Sequence, residues 1–192
     1  MDQPWASLQT DVPIQHQSLH AENRSMVELV GQLDRGDLTL DAPYQRGHVW
    51  TGNQRRLLIR SILQGVPIPA VIVNDRSLWP ADDDAPLCAV IDGKQRIEAV
   101  RRFVQNELDV PASWFEPDRV ESTIETADGP YVRYGDLSVV GRRFFANRAT
   151  IPVARGRFAT VREEAEIYLL VNGAGTDQSA DDLLNAQRVA DD

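Results

Sequence analysis

The feature that most constrains the fold is a short apolar strand that passes through an Asp-Gly turn directly into an amphipathic helix. Residues 87–91 are the strand, Asp92 and Gly93 form the turn, and the helix opens with Lys94 and Arg96. A glycine here lets backbone N–H groups approach an anion, and the helix N-terminus adds partial positive charge. The pattern predicts a phosphate site. It also fits an ordinary strand–helix turn with a solvated arginine.

The remaining pattern predicts a mixed α+β domain with a few short strands and four to five helices. Capping-box signatures mark three helix starts, at Ser25, Thr51 and Thr160. Short strands are predicted at 38–40, 70–73 and 87–91, with an edge strand at 149–154, because Pro152 cannot donate to a ladder. Strands and helices do not alternate regularly enough for a doubly wound sheet. We expect a flexible arm over 1–24, one domain over 25–187 and an acidic tail over 188–192.

Composition narrows the class of protein. The chain has 192 residues, a net charge of −9 and a single cysteine, Cys88, which excludes an intramolecular disulfide. It has no apolar run of about 20 residues and no signal-peptide pattern, so we expect a cytoplasmic protein without a membrane partner.

The charge is unevenly distributed. Residues 141–162 contain six arginines and no acidic residue, whereas 106–140 contain eight acidic residues and two arginines. Basic segments inside an acidic protein favour a local anionic ligand over a long nucleic-acid track. Alternatively, these arginines pair with acidic residues elsewhere in the chain.

Several sequence blocks in a fixed order resemble a known family. They are Tyr44-Gln45-Arg46 with Trp50, then Leu58-Ile59-Arg60-Ser61-Ile62-Leu63-Gln64-Gly65-Val66-Pro67-Ile68-Pro69, then Asp92-Gly93-Lys94-Gln95-Arg96, and finally Asn172-Gly173 with Asn185-Ala186. Over 25–105 and 144–187 the chain resembles the ParB/sulfiredoxin-like superfamily. More narrowly, it resembles the N-terminal domain, with its DGQQR motif, of GmrSD-type modification-dependent restriction proteins. The resemblance implies a ParB/sulfiredoxin-like fold with a small mixed sheet.

The resemblance implies a domain that binds, and often hydrolyses, nucleoside triphosphates in DNA restriction, phage defence or counter-defence. We expect a nucleotide as ligand or substrate, Mg²⁺ as cofactor, and DNA, a separate nuclease or a host protein as further partners. Lys94 stands where the family has glutamine. The histidine and asparagine cluster of the family's HNH nuclease domain is not found here, so DNA cleavage is not transferred from the family.

Site residues follow from the matching blocks. Phosphate binding is assigned to Gln45, Arg46, Gly93, Lys94 and Arg96. Asp92 is a candidate Mg²⁺ ligand and catalytic residue, or a simple helix cap. Gln95 is a candidate for orienting an attacking water, or a surface glutamine. Secondary candidates are Tyr44, Trp50, Arg142, Arg143, Arg148 and Asn172, of which the two aromatic residues are more typical of core or wall positions.

Two other functions compete with an NTPase. One is a stand-alone ParB-like, metal-dependent DNA nuclease, which needs more ligands than Asp92 supplies. The other is a catalytically inactive protein that binds a partner. Sulfiredoxin chemistry is rejected because Cys88 lies before the turn, inside the strand. A role in chromosome partitioning is rejected because no helix-turn-helix segment follows the Asp-Gly turn motif. The leading hypothesis requires Arg46 and Arg96 to lie close together at an open turn.

Overall fold

The computed structural model describes residues 13–45, 49–80, 86–173 and 188–189, which form two sheets and five α-helices. The strands are β1 (His20–Ser25), β2 (Leu38–Thr39), β3 (Val71–Asp75), β4 (Cys88–Asp92), β5 (Val110–Pro111), β6 (Ile124–Thr126), β7 (Gly129–Val132) and β8 (Thr150–Gly156). The helices are α1 (Met26–Arg35), α2 (Gly52–Gln64), α3 (Lys94–Val104), α4 (Val139–Arg148) and α5 (Val161–Gly173).

The main sheet is mixed, with the strand order β1-β8-β3-β4-β2. Its central strand β3 runs parallel to β8 and antiparallel to β4, while β2 runs parallel to β4. A second sheet, β5-β7-β6, is small and antiparallel. The predicted α+β class with a small mixed sheet is confirmed.

The helix boundaries follow the capping signals in the sequence. Ser25 Oγ accepts a hydrogen bond from the backbone N–H of Glu28, which opens α1. Thr51 and Gln54 form a reciprocal capping box at the start of α2. Thr160 Oγ1 accepts from the N–H of Glu163 in the first turn of α5. The sequence also predicts a short last helix capped by Ser179, and that segment lies outside the described residues.

Successive side chains along the strands point to opposite faces of the main sheet, and both faces are buried. Val71 and Val73 of β3 belong to the larger core, which they share with helices α1, α2 and α3. On the opposite face Ile72 packs against a smaller core that includes Ile91 and residues of α5, among them Tyr168. The β4–α3 turn lies where the sheet meets the helical layer, so both cores hold the predicted site in place.

Two predictions at the edge of the sheet are wrong. Residues 20–24, assigned to the arm, pair with β8 as part of β1, so β8 is an internal strand rather than an edge strand. Pro152 is tolerated because pairing between β8 and β3 begins only at Val153, which leaves the proline with a paired neighbour on the β1 side alone. The polar composition of β1 hid this strand.

Candidate functional site

Gly93 has a packing role at the β4–α3 turn. Its φ is +99°, and a Cβ at this position would lie 2.6 Å from Cγ2 of Val71. A side chain would therefore be strained by the backbone conformation and would clash with the neighbouring strand. The turn needs glycine for close contact with β3, whether or not it also approaches an anion.

Arg96 lies beside the turn, and its guanidinium is engaged within the protein. Nη2 donates to Asp92 Oδ2 at 2.6 Å, and Nη1 donates to the carbonyl oxygens of Pro69 and Ala70 at 3.2 Å. The side chain of Arg96 is only 14% exposed. These contacts give Arg96 a bracing role between the turn and the segment before β3, and its assignment to phosphate stays a prediction.

Gln45 lies next to the same turn, and its assignment to phosphate binding stays a prediction. Its Nε2 donates to the carbonyl oxygen of Val90 at 2.7 Å and also to that of Ile91. Its Oε1 is buried and has no hydrogen-bond partner among the described residues. Gln45 thus fixes its loop against the end of β4. Arg46 lies outside the described residues, so the predicted closeness of Arg46 and Arg96 stays a prediction.

A cavity of about 520 Å³ opens along α3, and we call it the α3 pocket. Its lining residues come from α1, β2, α2, α3 and the adjoining loops: Leu33, Gly36, Leu38, Thr39, Leu40, Asp41, Val49, Arg55, Pro86, Lys94, Gln95, Glu98, Arg101 and Arg102. Among the predicted site residues, the pocket includes Lys94 and Gln95. Its lining does not include Asp92, Gly93, Arg96 or Gln45, whose contacts hold the turn.

Four cationic side chains line the α3 pocket, and their pairing differs. Arg101 and Arg102 approach Glu98 at 3.5 and 3.1 Å. Lys94 Nζ lies 3.4 Å from Oδ1 of Asp41, whose side chain is 94% exposed, so the contact is weak. Arg55 forms no ion pair with any described residue, and its Nε is buried without a hydrogen-bond partner.

The start of α3 adds to the positive potential of this pocket. The N-cap is Gly93, so no side chain caps the first turn. Helix N-termini leave backbone N–H groups unpaired and carry partial positive charge. Lys94 and Gln95 are the first two residues of α3. The α3 pocket therefore combines cations with a helix start that is suited to an anion.

Arg55 was not among the site residues predicted from the sequence. It lies in α2 beside Arg56, and the two residues look alike in the sequence. Arg56 pairs with Asp109 at 2.5 Å, whereas Arg55 lines the α3 pocket. The contrast depends on which way each side chain leaves the helix and on what packs there. A Gln54-Arg55-Arg56 run carries no signal that separates them.

Trp50 and Gln95 connect the α2 start to α3. The backbone N–H of Trp50 donates to Oε1 of Gln95 at 3.1 Å. The Trp50 ring packs against the larger core, as predicted for a wall residue. Cys88 also packs against that core, and burial raises the pKa of its thiol, which agrees with a structural role.

Tyr44 belongs to a buried polar network rather than to the α3 pocket. Its hydroxyl donates to Oε2 of the fully buried Glu164 at 3.1 Å. Asn74 Nδ2 and Arg76 Nε each donate to Oε1 of the same carboxylate at 2.7 Å. Burial, and then the charge of Glu164, raise the pKa of Tyr44 far above its ordinary value. The network fastens α5 to β3 and to the loop that carries Gln45.

The secondary candidates on α4 and α5 lie apart from the α3 pocket. Arg142 Nη1 donates to the carbonyl oxygens of Gly135 and Leu137. Arg143 and Arg148 are exposed on α4. Asn172 Nδ2 donates to the carbonyl oxygen of Tyr168 at 2.9 Å, one turn earlier in α5. None of these residues contributes to the pocket lining described above.

Two properties of the described residues bear on metals and membranes. No group of three or more His, Cys, Asp and Glu side chains in the described ranges is placed to hold a metal ion. No helix within those ranges has the length and apolarity required to span a bilayer.

Comparison with known families identifies the class of domain. The family model described as "GmrSD restriction endonuclease, N-terminal domain" matches residues 27–188. The chain therefore belongs to this family. No curated protein and no solved structure matches the chain.

Proposed function

We propose that this chain is a nucleoside-triphosphate-binding domain of a restriction system and that the triphosphate binds in the α3 pocket. The observation that carries the proposal is Arg55, a pocket-lining cation without an ion pair among the described residues. Lys94 lines the same cavity, and its contact with Asp41 is exposed and weak. A polyphosphate would supply the negative charge that Arg55 lacks among the described residues, and it would bind Lys94 more strongly than the exposed Asp41 does.

The shape and lining of the pocket suit a ligand of nucleotide size. Its volume of about 520 Å³ falls within the range of small-molecule sites. Val49 gives it exposed apolar surface on which a base or ribose can pack, and Leu38 and Leu40 are buried in its wall. The cations lie along α2 and α3, so phosphates and base would occupy different parts of one cavity.

The motif residues take different roles in this proposal. Arg55 supplies a planar fork for phosphate and Lys94 a compact charge. Gln95 lines the cavity and is the candidate for orienting a water molecule, although its Oε1 already accepts from Trp50. Arg96, Asp92 and Gln45 act through the position of the turn.

Mg²⁺ enters the proposal as the ion that accompanies the triphosphate. Mg²⁺ usually takes one or two protein carboxylates together with phosphate oxygens. Asp92 binds Arg96 through Oδ2, so a metal at Asp92 would use Oδ1 or displace the guanidinium. Asp41 is the exposed carboxylate that lines the α3 pocket. For a triphosphate in the α3 pocket, Asp41 would therefore be the protein ligand, because Asp92 does not line that pocket.

Calorimetry with ATP, GTP and CTP in the presence of Mg²⁺ tests the proposal. We expect the wild type to bind at least one nucleotide. Arg55→Ser and Lys94→Ala should each weaken binding by about 10-fold or more, because each variant loses a charge-assisted hydrogen bond. Arg60→Ser is the matched control, because Arg60 is an exposed arginine on the same helix that does not line the pocket.

The control should change affinity less than about twofold, since distant exposed charges are screened. Absence of binding by the wild type would overturn the proposal. Equal losses in Arg60→Ser and Arg55→Ser would overturn the location. Phosphate release is then measured separately, and the predicted catalytic role of Gln95 requires Gln95→Leu to lower turnover more than affinity.

A further inference from the structure

Strand β1 leaves one edge of the main sheet open. It is the outermost strand in the order β1-β8-β3-β4-β2, and it pairs with β8 along one side. No strand within the described part of the chain pairs with its other side. Ala21 and Asn23 of β1 are exposed, and so are residues 13–19 that lead into it. Such an edge presents a row of backbone N–H and C=O groups to which another strand can bind.

The register with β8 shows which backbone groups of β1 face this open edge. The N–H of Met26 donates to the carbonyl oxygen of Ala149, and this bond continues the β1–β8 register by one residue. Hydrogen-bonded pairs recur at every second residue of an antiparallel ladder, so Glu22 and Arg24 direct their backbone groups to β8. The backbone groups that face the open edge belong to the alternate residues Ala21, Asn23 and Ser25.

The side chains of β1 carry opposite charges two residues apart. Glu22 Oε1 lies 3.8 Å from Arg24 Nε and 3.4 Å from Nη2 of Arg155 on β8. Residues two apart on one strand are separated by roughly 6.7 Å along the strand, whereas residues directly opposite on paired strands have Cβ atoms about 4.5–5.5 Å apart. Glu22 and Arg24 would therefore pair more closely across a strand interface than within β1.

We propose that β1 pairs antiparallel with β1 of a second copy of this chain, so that the two main sheets join across a two-fold axis at Asn23. In this register Glu22 lies opposite Arg24 of the second copy, and the contact occurs twice because a two-fold interface is reciprocal. Both residues occupy non-hydrogen-bonded positions of the new ladder, where opposite side chains are closest.

The charges select this register over its neighbours. An axis at Glu22 would place Glu22 against its own copy, and an axis at Arg24 would do the same for the arginine. Like charges directly opposite each other destabilise a strand pair. The inference does not depend on nucleotide binding, because no residue of β1 lines the α3 pocket.

Sedimentation velocity of the full chain over a series of protein concentrations, without nucleotide, tests the inference. We expect a concentration-dependent equilibrium between monomer and dimer. Glu22→Arg and Arg24→Glu each replace two attractive contacts by two repulsive contacts, so each should weaken dimerisation by about 10-fold or more. The double reversal Glu22→Arg/Arg24→Glu restores opposite charges across the axis, and its dimerisation constant should return to within about threefold of the wild type.

Asn23→Pro tests the backbone hydrogen bonds of the interface. Proline removes an N–H that faces the open edge and not β8, so the pairing of β1 with β8 is kept while dimerisation is lost. Asn23→Thr is the matched control, because it keeps the N–H, and it should dimerise as the wild type does. Circular dichroism and thermal melting establish which variants stay folded, and the charge reversals decide the test if the proline variant unfolds.

Three results overturn the inference. The first is a wild type that stays monomeric at every concentration. The second is a dimer that persists unchanged in the single charge reversals, since such a dimer uses another surface. The third is a double reversal that dimerises no better than the single reversals, since charges across the axis would then not set the register.

Discussion

Removing the buried carboxylate of Glu164 should destabilise the fold more than removing an exposed ion pair does. Glu164 is fully buried and accepts hydrogen bonds from Arg76 Nε and Nη2 at 2.7 and 2.5 Å, from Asn74 and from Tyr44. Removing one partner of a buried ion pair costs about 3–5 kcal/mol, because the other charge stays buried without compensation. The Arg76 side chain is 13% exposed, so it would lose its partner with little access to water. We expect Glu164→Ala to lower the free energy of unfolding by about 3–5 kcal/mol.

Two further variants should lower the free energy of unfolding by smaller amounts. Glu164→Gln keeps the size and one acceptor oxygen but loses the charge, so the expected cost is about 1.5–3 kcal/mol, the value of a hydrogen bond to a charged group. Glu166→Ala removes an exposed carboxylate from the same helix, where Glu166 lies 3.3 Å from Arg162. Exposed pairs of this spacing contribute about 0.3–0.5 kcal/mol. The loss of stability should therefore decrease from Glu164→Ala to Glu164→Gln and again to Glu166→Ala.

Urea unfolding followed by tryptophan fluorescence measures these differences. The Arg76 guanidinium stacks over the ring of Trp79 at 4.4 Å, so the indole reports on the same region. A double-mutant cycle of Glu164→Ala with Arg76→Met isolates the pair, and the double variant should lose less stability than the two single losses added. A loss below about 1 kcal/mol for Glu164→Ala at unchanged m-value, or strict additivity in the cycle, would refute the reasoning.

Two other predictions concern the turn and the tyrosine in this network. Gly93→Ala should lower the melting temperature more than Gly36→Ala. Both glycines have positive φ, but the new methyl at residue 93 would meet Val71, whereas nothing lies within 4 Å at residue 36. Equal shifts of the melting temperature in the two variants would contradict this prediction. The raised pKa of Tyr44 keeps its proton bound in the folded state after the unfolded chain ionises near pH 10, so stability should fall as pH rises above about 10, by up to about 1.4 kcal/mol per pH unit. Tyr44→Phe should remove this part of the pH dependence measured by denaturant unfolding, and an unchanged alkaline slope would contradict the assignment.

Local signals in the sequence were sufficient for much of the fold. Capping residues predicted the starts of α1, α2 and α5, and the strand–turn–helix pattern predicted β4 and α3. These features depend on neighbouring residues alone. Strand β1 was missed because its pairing with β8 is a contact between distant segments, and its polar sequence resembles that of an arm. Helix α4 has no regular apolar stripe, and Val139 and Val140 are exposed.

The candidate site shows the same division. The sequence blocks contain Gln45, the Asp92 turn and Gln95, which the structure holds in one region. They did not separate residues that brace the turn from residues that line the cavity, since Arg96 and Arg55 differ in side-chain direction and not in chemistry. Glu164 was equally hidden, because one glutamate in an acidic helix start looks solvated until β3 supplies Asn74 and the residue after β3 supplies Arg76. Tertiary packing decides each of these roles.

The most direct measurement of the central claim is a crystal structure of the full chain with a non-hydrolysable nucleoside triphosphate and Mg²⁺. We expect phosphate oxygens within about 3.2 Å of Lys94 Nζ and of the Arg55 guanidinium, with the Asp92–Arg96 pair intact. A nucleotide bound instead to Arg96, with that pair broken and the α3 pocket empty, would contradict it.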